Sequence, residues 1–203
     1  MKITKEWLED NNACKEGIEF IKQAGFIDLP VKEFIEKLIK IDKLDWANWI
    51  IIHILNSIDL LKYAIYAAEE VLPIFEDKYP NDDCLRKAIE SAKVFNENPH
   101  KETDNTIIVE SYNNAIVASD VAFASRLTRK DNIYAYITLA IAHVVKAVDS
   151  ALFATNSTYS VILDARSATY AVFNIYFYDT TDTTDTNIYT IYKKILEYGI
   201  NFI

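Results

Sequence analysis

Apolar residues recur along most of this chain at steps of three and four, a spacing that places them on one face of an α-helix. The clearest series lies in residues 58–79, at Leu61, Ile65, Ala68, Leu72 and Phe75. Only 3 Gly and 4 Pro interrupt the 203 residues, which is few for a β-sandwich with a turn about every ten residues. The pattern predicts an all-α fold, a single-domain helical bundle of roughly eight helices.

Several residues predict where these helices bend or end. Pro73 lies inside the apolar series and removes one helical hydrogen bond, so we expect a kink there. Gly25 follows an amphipathic segment and suits the left-handed position after a helix. Ser57 can cap the helix that follows it, and this helix must stop before Pro80.

The second half of the chain has few charges and many small residues. Three helices are predicted there, at about 106–129, 131–154 and 159–178, followed by a polar loop and a last amphipathic helix. Helices that are apolar nearly all round are usually buried. We expect an N-terminal helical annex at 1–43 and a bundle domain at 44–203. Within the bundle domain, the change in composition at 98–105 marks a candidate internal boundary.

The formal net charge of −9 argues against direct nucleic-acid binding, which needs clustered Lys and Arg. The acidic excess is spread along the chain, as on an ordinary acidic surface; a DNA mimic, which concentrates its acids, is an alternative. The charged first residues predict no signal peptide, and apolar runs such as 46–55 are too short to span a bilayer. Together with two isolated cysteines, Cys14 and Cys84, this predicts a reduced, soluble, cytoplasmic protein without membrane partners.

Motifs for catalysis or metal binding are not found in the sequence. His53, His100 and His143 lie in different segments, and none has a second metal-ligating residue at the spacing of known zinc motifs. A nucleophile elbow is missing, and three glycines cannot build a phosphate-binding loop. We therefore expect no metal or cofactor, and His53 and His143 are expected to be satisfied core or interface residues. An enzyme stays an alternative that would need a spatial cluster, such as a deep pocket that holds His143 with two carboxylates.

The arginines are more informative, because the chain has only four of them among 21 basic residues. Three of them, Arg126, Arg129 and Arg166, lie in the charge-poor half, where Asp residues occur among Ala, Ser and Thr in three short similar segments. A guanidinium can hold a carboxylate by two hydrogen bonds, so Asp and Arg on neighbouring helices are expected to pair. Two interpretations stay open: a polar network that fixes helix register, or a groove that binds a partner or ligand. The residues concerned are Asp120, Arg126, His143, Asp149, Asp164 and Arg166.

A second charged group, Asp82, Asp83 and Arg86, surrounds the turn after Pro80. An Asp just before a helix accepts backbone N–H groups and interacts favourably with the helix dipole. We interpret this group as a structural cap of the next helix, with the second Asp solvated or paired with Arg86 or Lys87.

Six tyrosines are candidate exposed aromatic residues for an interface, because tyrosine buries area while keeping a hydroxyl for hydrogen bonding. They are Tyr63, Tyr66, Tyr134, Tyr136, Tyr189 and Tyr192.

The stretch "LDWANWIIIHIL…LLKYAIYAAEEVLPIFEDKYPNDDCLRKAIESAK" resembles an immunity-protein family of bacterial polymorphic toxin systems, whose members also occur as uncharacterised phage proteins. The shared elements are a Trp-x-x-Trp helix at Trp46 and Trp49, the helix from Tyr63 to Glu69, Ile74 to Pro80, and the segment from Asp82 to Ala92. The specific resemblance covers about residues 45–95 and is loose elsewhere. One departure is Cys84-Leu85-Arg86, where the family often has Arg-Pro-Arg.

The resemblance implies a non-catalytic immunity or inhibitor protein that binds and neutralises a toxin or a defence nuclease. An acidic surface suits that task, because opposite charge accelerates association with a basic nuclease. A second hypothesis is a phage counter-defence protein that sequesters a small nucleotide signal in the polar groove. Its partner would then be a nucleotide, whereas the first hypothesis requires a protein partner.

Overall fold

The computed structural model describes residues 1–97, 113, 116, 129–152, 158–179 and 186–203. Within these ranges it contains nine helices and one pair of two-residue strands, which confirms the all-α prediction. The helix expected at 106–129 and the boundary expected at 98–105 lie almost wholly outside the described residues. Asp120 and Arg126 also lie outside them.

The helices follow one another in chain order, with bounds close to those predicted from the pattern. They are α1 (Lys5–Asp10), α2 (Lys15–Gln23), α3 (Val31–Lys40), α4 (Leu44–Ile54), α5 (Ser57–Lys78), α6 (Cys84–Glu97), α7 (Arg129–Leu152), α8 (Thr158–Asp179) and α9 (Thr186–Ile200). Strands β1 (Lys2–Ile3) and β2 (Leu29–Pro30) pair antiparallel.

The described residues group into two compact units. The first, here the N-terminal unit, contains Met1–Leu55 and Leu196–Ile203; the second, the bundle unit, contains Asn56–Ile195. This grouping assigns α4 to the N-terminal helices, whereas the sequence predicts that the annex ends at residue 43. The physical reason is aromatic packing of α4: Trp46 contacts Phe20 of α2 edge-to-face at 5.3 Å, and Trp49 contacts Trp7 of α1 at 5.9 Å.

The end of α2 shows how a local signal determines structure. Gly25 adopts a left-handed φ of 70°, which costs an L-residue more than it costs glycine. Its N–H donates to the carbonyl of Lys22, and the N–H of Phe26 donates to the carbonyl of Ile21. These two bonds form a Schellman motif, so the helix ends where the glycine predicts.

In the bundle unit, α5 packs against α6, α7 and α8, and the contact between α7 and α8 is the most extensive. Small buried residues such as Ala140, Ala147 and Ala168 line these two helices and allow their axes to approach closely. Helix α5 continues through Pro73 from Ser57 to Lys78. Its N-cap is Asn56, whose side-chain oxygen accepts the N–H groups of Ile58 and Asp59, so the expectation that Ser57 is the cap was wrong by one residue.

Helix α7 is long and apolar. In the described part of the chain it is the one helix whose length and composition would allow it to cross a bilayer, over Asn132–Ala151 with a mean hydropathy of 1.2. The segment reaches this length by including two charged residues, Lys146 and Asp149, so it is longer than the apolar runs considered in the sequence. Within the bundle, 61% of the segment is buried, as in the core helix of a soluble protein.

Candidate functional site

A buried carboxylate joins α7 to α8. Asp164 of α8 is only 7% exposed, and its Oδ1 lies 3.2 Å from Lys146 Nζ and 3.5 Å from His143 Nδ1. His143 and Lys146 are three residues apart on α7, so they project from the same helix face. Their shared acceptor fixes the register of the two helices, which is the structural interpretation of the polar network.

Arg166 lies two residues from Asp164 on the same helix. Residues two apart on a helix point in different directions, so the Arg166 side chain is turned away from the face that carries Asp164. Within the described residues, the basic side chains beside Asp164 are Lys146 and His143 of α7. Asp149 is half-buried on α7, and the described ranges contain no ion pair that includes it. Of the six predicted site residues, the structure brings together His143 and Asp164.

A row of large side chains on the outer face of α8 was missed by sequence reasoning. Tyr159, Leu163 and Tyr170 are 65%, 43% and 40% exposed, and Arg166 lies between them, partly buried. Steps of four, three and four residues place all four on one face of the helix. We call Tyr159, Leu163, Arg166 and Tyr170 the α8 stripe.

The opposite face of α8 forms part of the core of the bundle unit. Ala165, Ala168 and Val172 are buried there, so α8 is apolar on two faces, of which one is covered. The sequence predicts burial for a helix that is apolar nearly all round, and that prediction is wrong for the stripe. The spacing of apolar residues in the sequence cannot distinguish the covered face from the exposed one, because the residues of both faces recur with the helical period.

The guanidinium of the stripe lies close to its tyrosines. Burial lowers the pKa of Arg166, and the nearby hydroxyls of Tyr170 and Tyr159 oppose that change. Burial likewise raises the pKa of Tyr170, opposed by the charge of Arg166. The stripe thus presents two aromatic rings and a leucine around one cation, a combination that can bury apolar area and also donate hydrogen bonds.

The six tyrosines proposed from the sequence do not form an exposed set. Tyr63 and Tyr192 are completely buried, and the other four are partly buried. Burial raises the pKa of Tyr63 well above its ordinary value, and the hydroxyl of Tyr192 donates to the carbonyl of Val172 at 2.7 Å. The prediction that Tyr63 and Tyr192 are exposed was wrong, since helical spacing does not reveal which face a distant helix covers.

The charged turn before α6 has the structural role expected for it. The Asp82 carboxylate accepts the N–H of Cys84 at 3.1 Å, and Asp83 forms an ion pair with Lys87 at 2.8 Å. Arg86 instead crosses to α5, where it donates to Glu76. The contacts of all three residues in the structure are those of a helix cap and a surface ion pair.

Three acids of α5, here the α5 acidic row, are matched by cations from two other helices. Glu69 accepts from Lys93 of α6 at 2.5 Å, and Glu70 accepts from Lys194 of α9 at 2.8 Å. The third member is Glu76, with Arg86. Three of the acids on α5 are thus paired with cations of neighbouring helices.

Among the described residues, no three His, Cys, Asp or Glu side chains lie close enough together to hold a metal ion. Cys14 and Cys84 are both free thiols.

Comparison with known proteins gave no match. No family model matches this chain, and neither a curated protein nor a solved structure does. The immunity-protein family therefore stays a prediction from the residues at 45–95.

Proposed function

We propose that this protein is a non-catalytic immunity or inhibitor protein that binds and neutralises a toxin or a defence nuclease in the cytoplasm. The observation that supports the proposal is the α8 stripe, in which Tyr159, Leu163 and Tyr170 are exposed on one helix face beside the partly buried Arg166. The target would contact this stripe.

The composition of the stripe is that of a protein-binding surface. Tyrosine and arginine are enriched among the residues that dominate binding energy, because they bury large areas and still form hydrogen bonds. Exposed apolar residues occurring singly need no explanation, whereas a contiguous row does. Here the row extends for three helical turns along one rigid helix, which lowers the entropy lost on binding.

The net charge of −9 would raise the rate of association more than it would strengthen the contact itself. A protein of that charge attracts a basic target over long distances and raises the rate of encounter. The α5 acidic row is matched by its own cations, so it is a poor candidate for direct contact. A DNA mimic would need uncompensated carboxylates, which these three are not.

Calorimetric titration against purified products of the neighbouring genes tests the proposal. We expect one of them to bind at micromolar concentration or tighter, and to lose its toxic or nuclease activity in the complex. Tyr159→Ala and Leu163→Ala should each weaken binding about tenfold or more. Ile58→Ala is the matched control, since Ile58 is an exposed apolar residue of the same unit outside the stripe.

Two results would contradict the proposal. The first is that no neighbouring product binds at micromolar concentration. The second is that a target binds the stripe variants as tightly as it binds the unchanged protein, which would place the contact elsewhere.

The alternative of a nucleotide-sequestering protein finds less support. Lys146 and His143 are the basic side chains that lie beside Asp164, and the Asp164 carboxylate already contacts both. A phosphate placed there would be repelled by that carboxylate. Calorimetry with a panel of nucleotides separates the two hypotheses: binding that is lost on Arg166→Ala would favour the nucleotide.

A further inference from the structure

We draw no further inference here: the strongest candidate, the partly buried aromatic row of Trp46, Trp49 and His53 along α4, is covered in part by α1 and α2 within the N-terminal unit, and nothing in the described residues shows what covers the rest.

Discussion

The guanidinium of Arg86 on α6 donates two hydrogen bonds, each 2.6 Å long, to the two carboxylate oxygens of Glu76 on α5. The fork of arginine matches the two oxygens of a carboxylate, which lysine cannot do. The pair connects the last turns of α5 to the first turn of α6 across the turn at Pro80. It is one of three ion pairs along the α5 acidic row, so α5 is held to its neighbours by matched charges as well as by its apolar face.

Removing this pair should have a small but measurable effect. The side chains are 44% and 28% exposed, so solvent screens the attraction, and we expect a coupling of about 0.5–1 kcal/mol. A double-mutant cycle with Arg86→Ala and Glu76→Ala, followed by urea unfolding, measures it. The pair of Lys87 and Asp83, exposed at both ends, is the control and should couple less. Equal coupling in the two pairs would show that the two-bond geometry contributes nothing.

Lys146 should matter more for stability than an ordinary surface lysine. Lys146→Met leaves the buried Asp164 carboxylate with only His143 nearby, and a poorly compensated buried charge typically costs about 1–3 kcal/mol. Urea unfolding should show this loss, whereas Lys87→Met should have little effect. Adding Asp164→Leu to Lys146→Met should restore part of the stability, since the charge is then gone. If Lys146→Met left the free energy of unfolding unchanged, the Asp164 carboxylate would not depend on the lysine cation.

The two cysteines should react with alkylating reagents at very different rates. Burial first, and then the hydrogen bond with Asp82, raise the pKa of the Cys84 thiol from 9.0 to about 12, and only the thiolate is a good nucleophile. Cys14 is exposed. At pH 8, iodoacetamide followed by peptide mass spectrometry should modify Cys14 first and Cys84 at least tenfold more slowly. Asp82→Ala should accelerate Cys84; equal rates in the unchanged protein would contradict the prediction.

The raised pKa of the Cys84 thiol predicts that the protein loses stability at alkaline pH. In the unfolded chain the Cys84 thiol ionises near its ordinary pKa of 9.0, whereas in the folded protein it keeps its proton up to about pH 12. The folded state therefore binds more protons in that window, and stability falls as pH rises from 9 toward 12. Tyr63, whose pKa is also raised by burial, adds to the fall above pH 10. In Cys84→Ala, thermal unfolding should show no fall between pH 9 and 10.

The buried hydroxyl of Tyr192 should stabilise the contact between α9 and α8. Tyr192→Phe removes its hydrogen bond to the Val172 carbonyl while keeping the ring, which stacks on Phe173 at 4.8 Å. A hydrogen bond of this type contributes about 0.5–1.5 kcal/mol, so the midpoint of urea unfolding should fall. Tyr189→Phe, at a partly exposed position of the same helix, is the control. An unchanged midpoint for Tyr192→Phe would show that this hydrogen bond makes no net contribution to stability.

Gly25 should not tolerate a side chain. Gly25→Ala forces an L-residue into a φ of 70°, although nothing within 4 Å would touch the new Cβ, so the whole cost is backbone strain of about 1 kcal/mol. Thermal unfolding should show the loss. Gly25→Asn should cost less, because asparagine adopts the left-handed conformation more readily. Equal losses for both variants would point to a cause other than the backbone.

The sequence by itself determined the helices and most of their ends. Apolar periodicity located α7 and α8 within two residues of their observed bounds, and Gly25 and Asp82 marked a helix end and a helix start correctly. These features could be predicted because a cap or a periodic face depends on residues that are close along the chain. Where two capping residues are adjacent, as Asn56 and Ser57 are, the local signal is ambiguous by one position.

The tertiary structure alone decided which faces are covered and which charges meet. Asp164 pairs with Lys146, Glu76 pairs with Arg86, and Tyr63 and Tyr192 are buried, whereas the two tyrosines and the leucine of the α8 stripe are exposed. Each of these depends on the register and rotation of helices that are distant along the chain. In a helix with two apolar faces, the apolar residues of each face recur with the same spacing. Only the packing of neighbouring helices therefore decides which face remains in solvent.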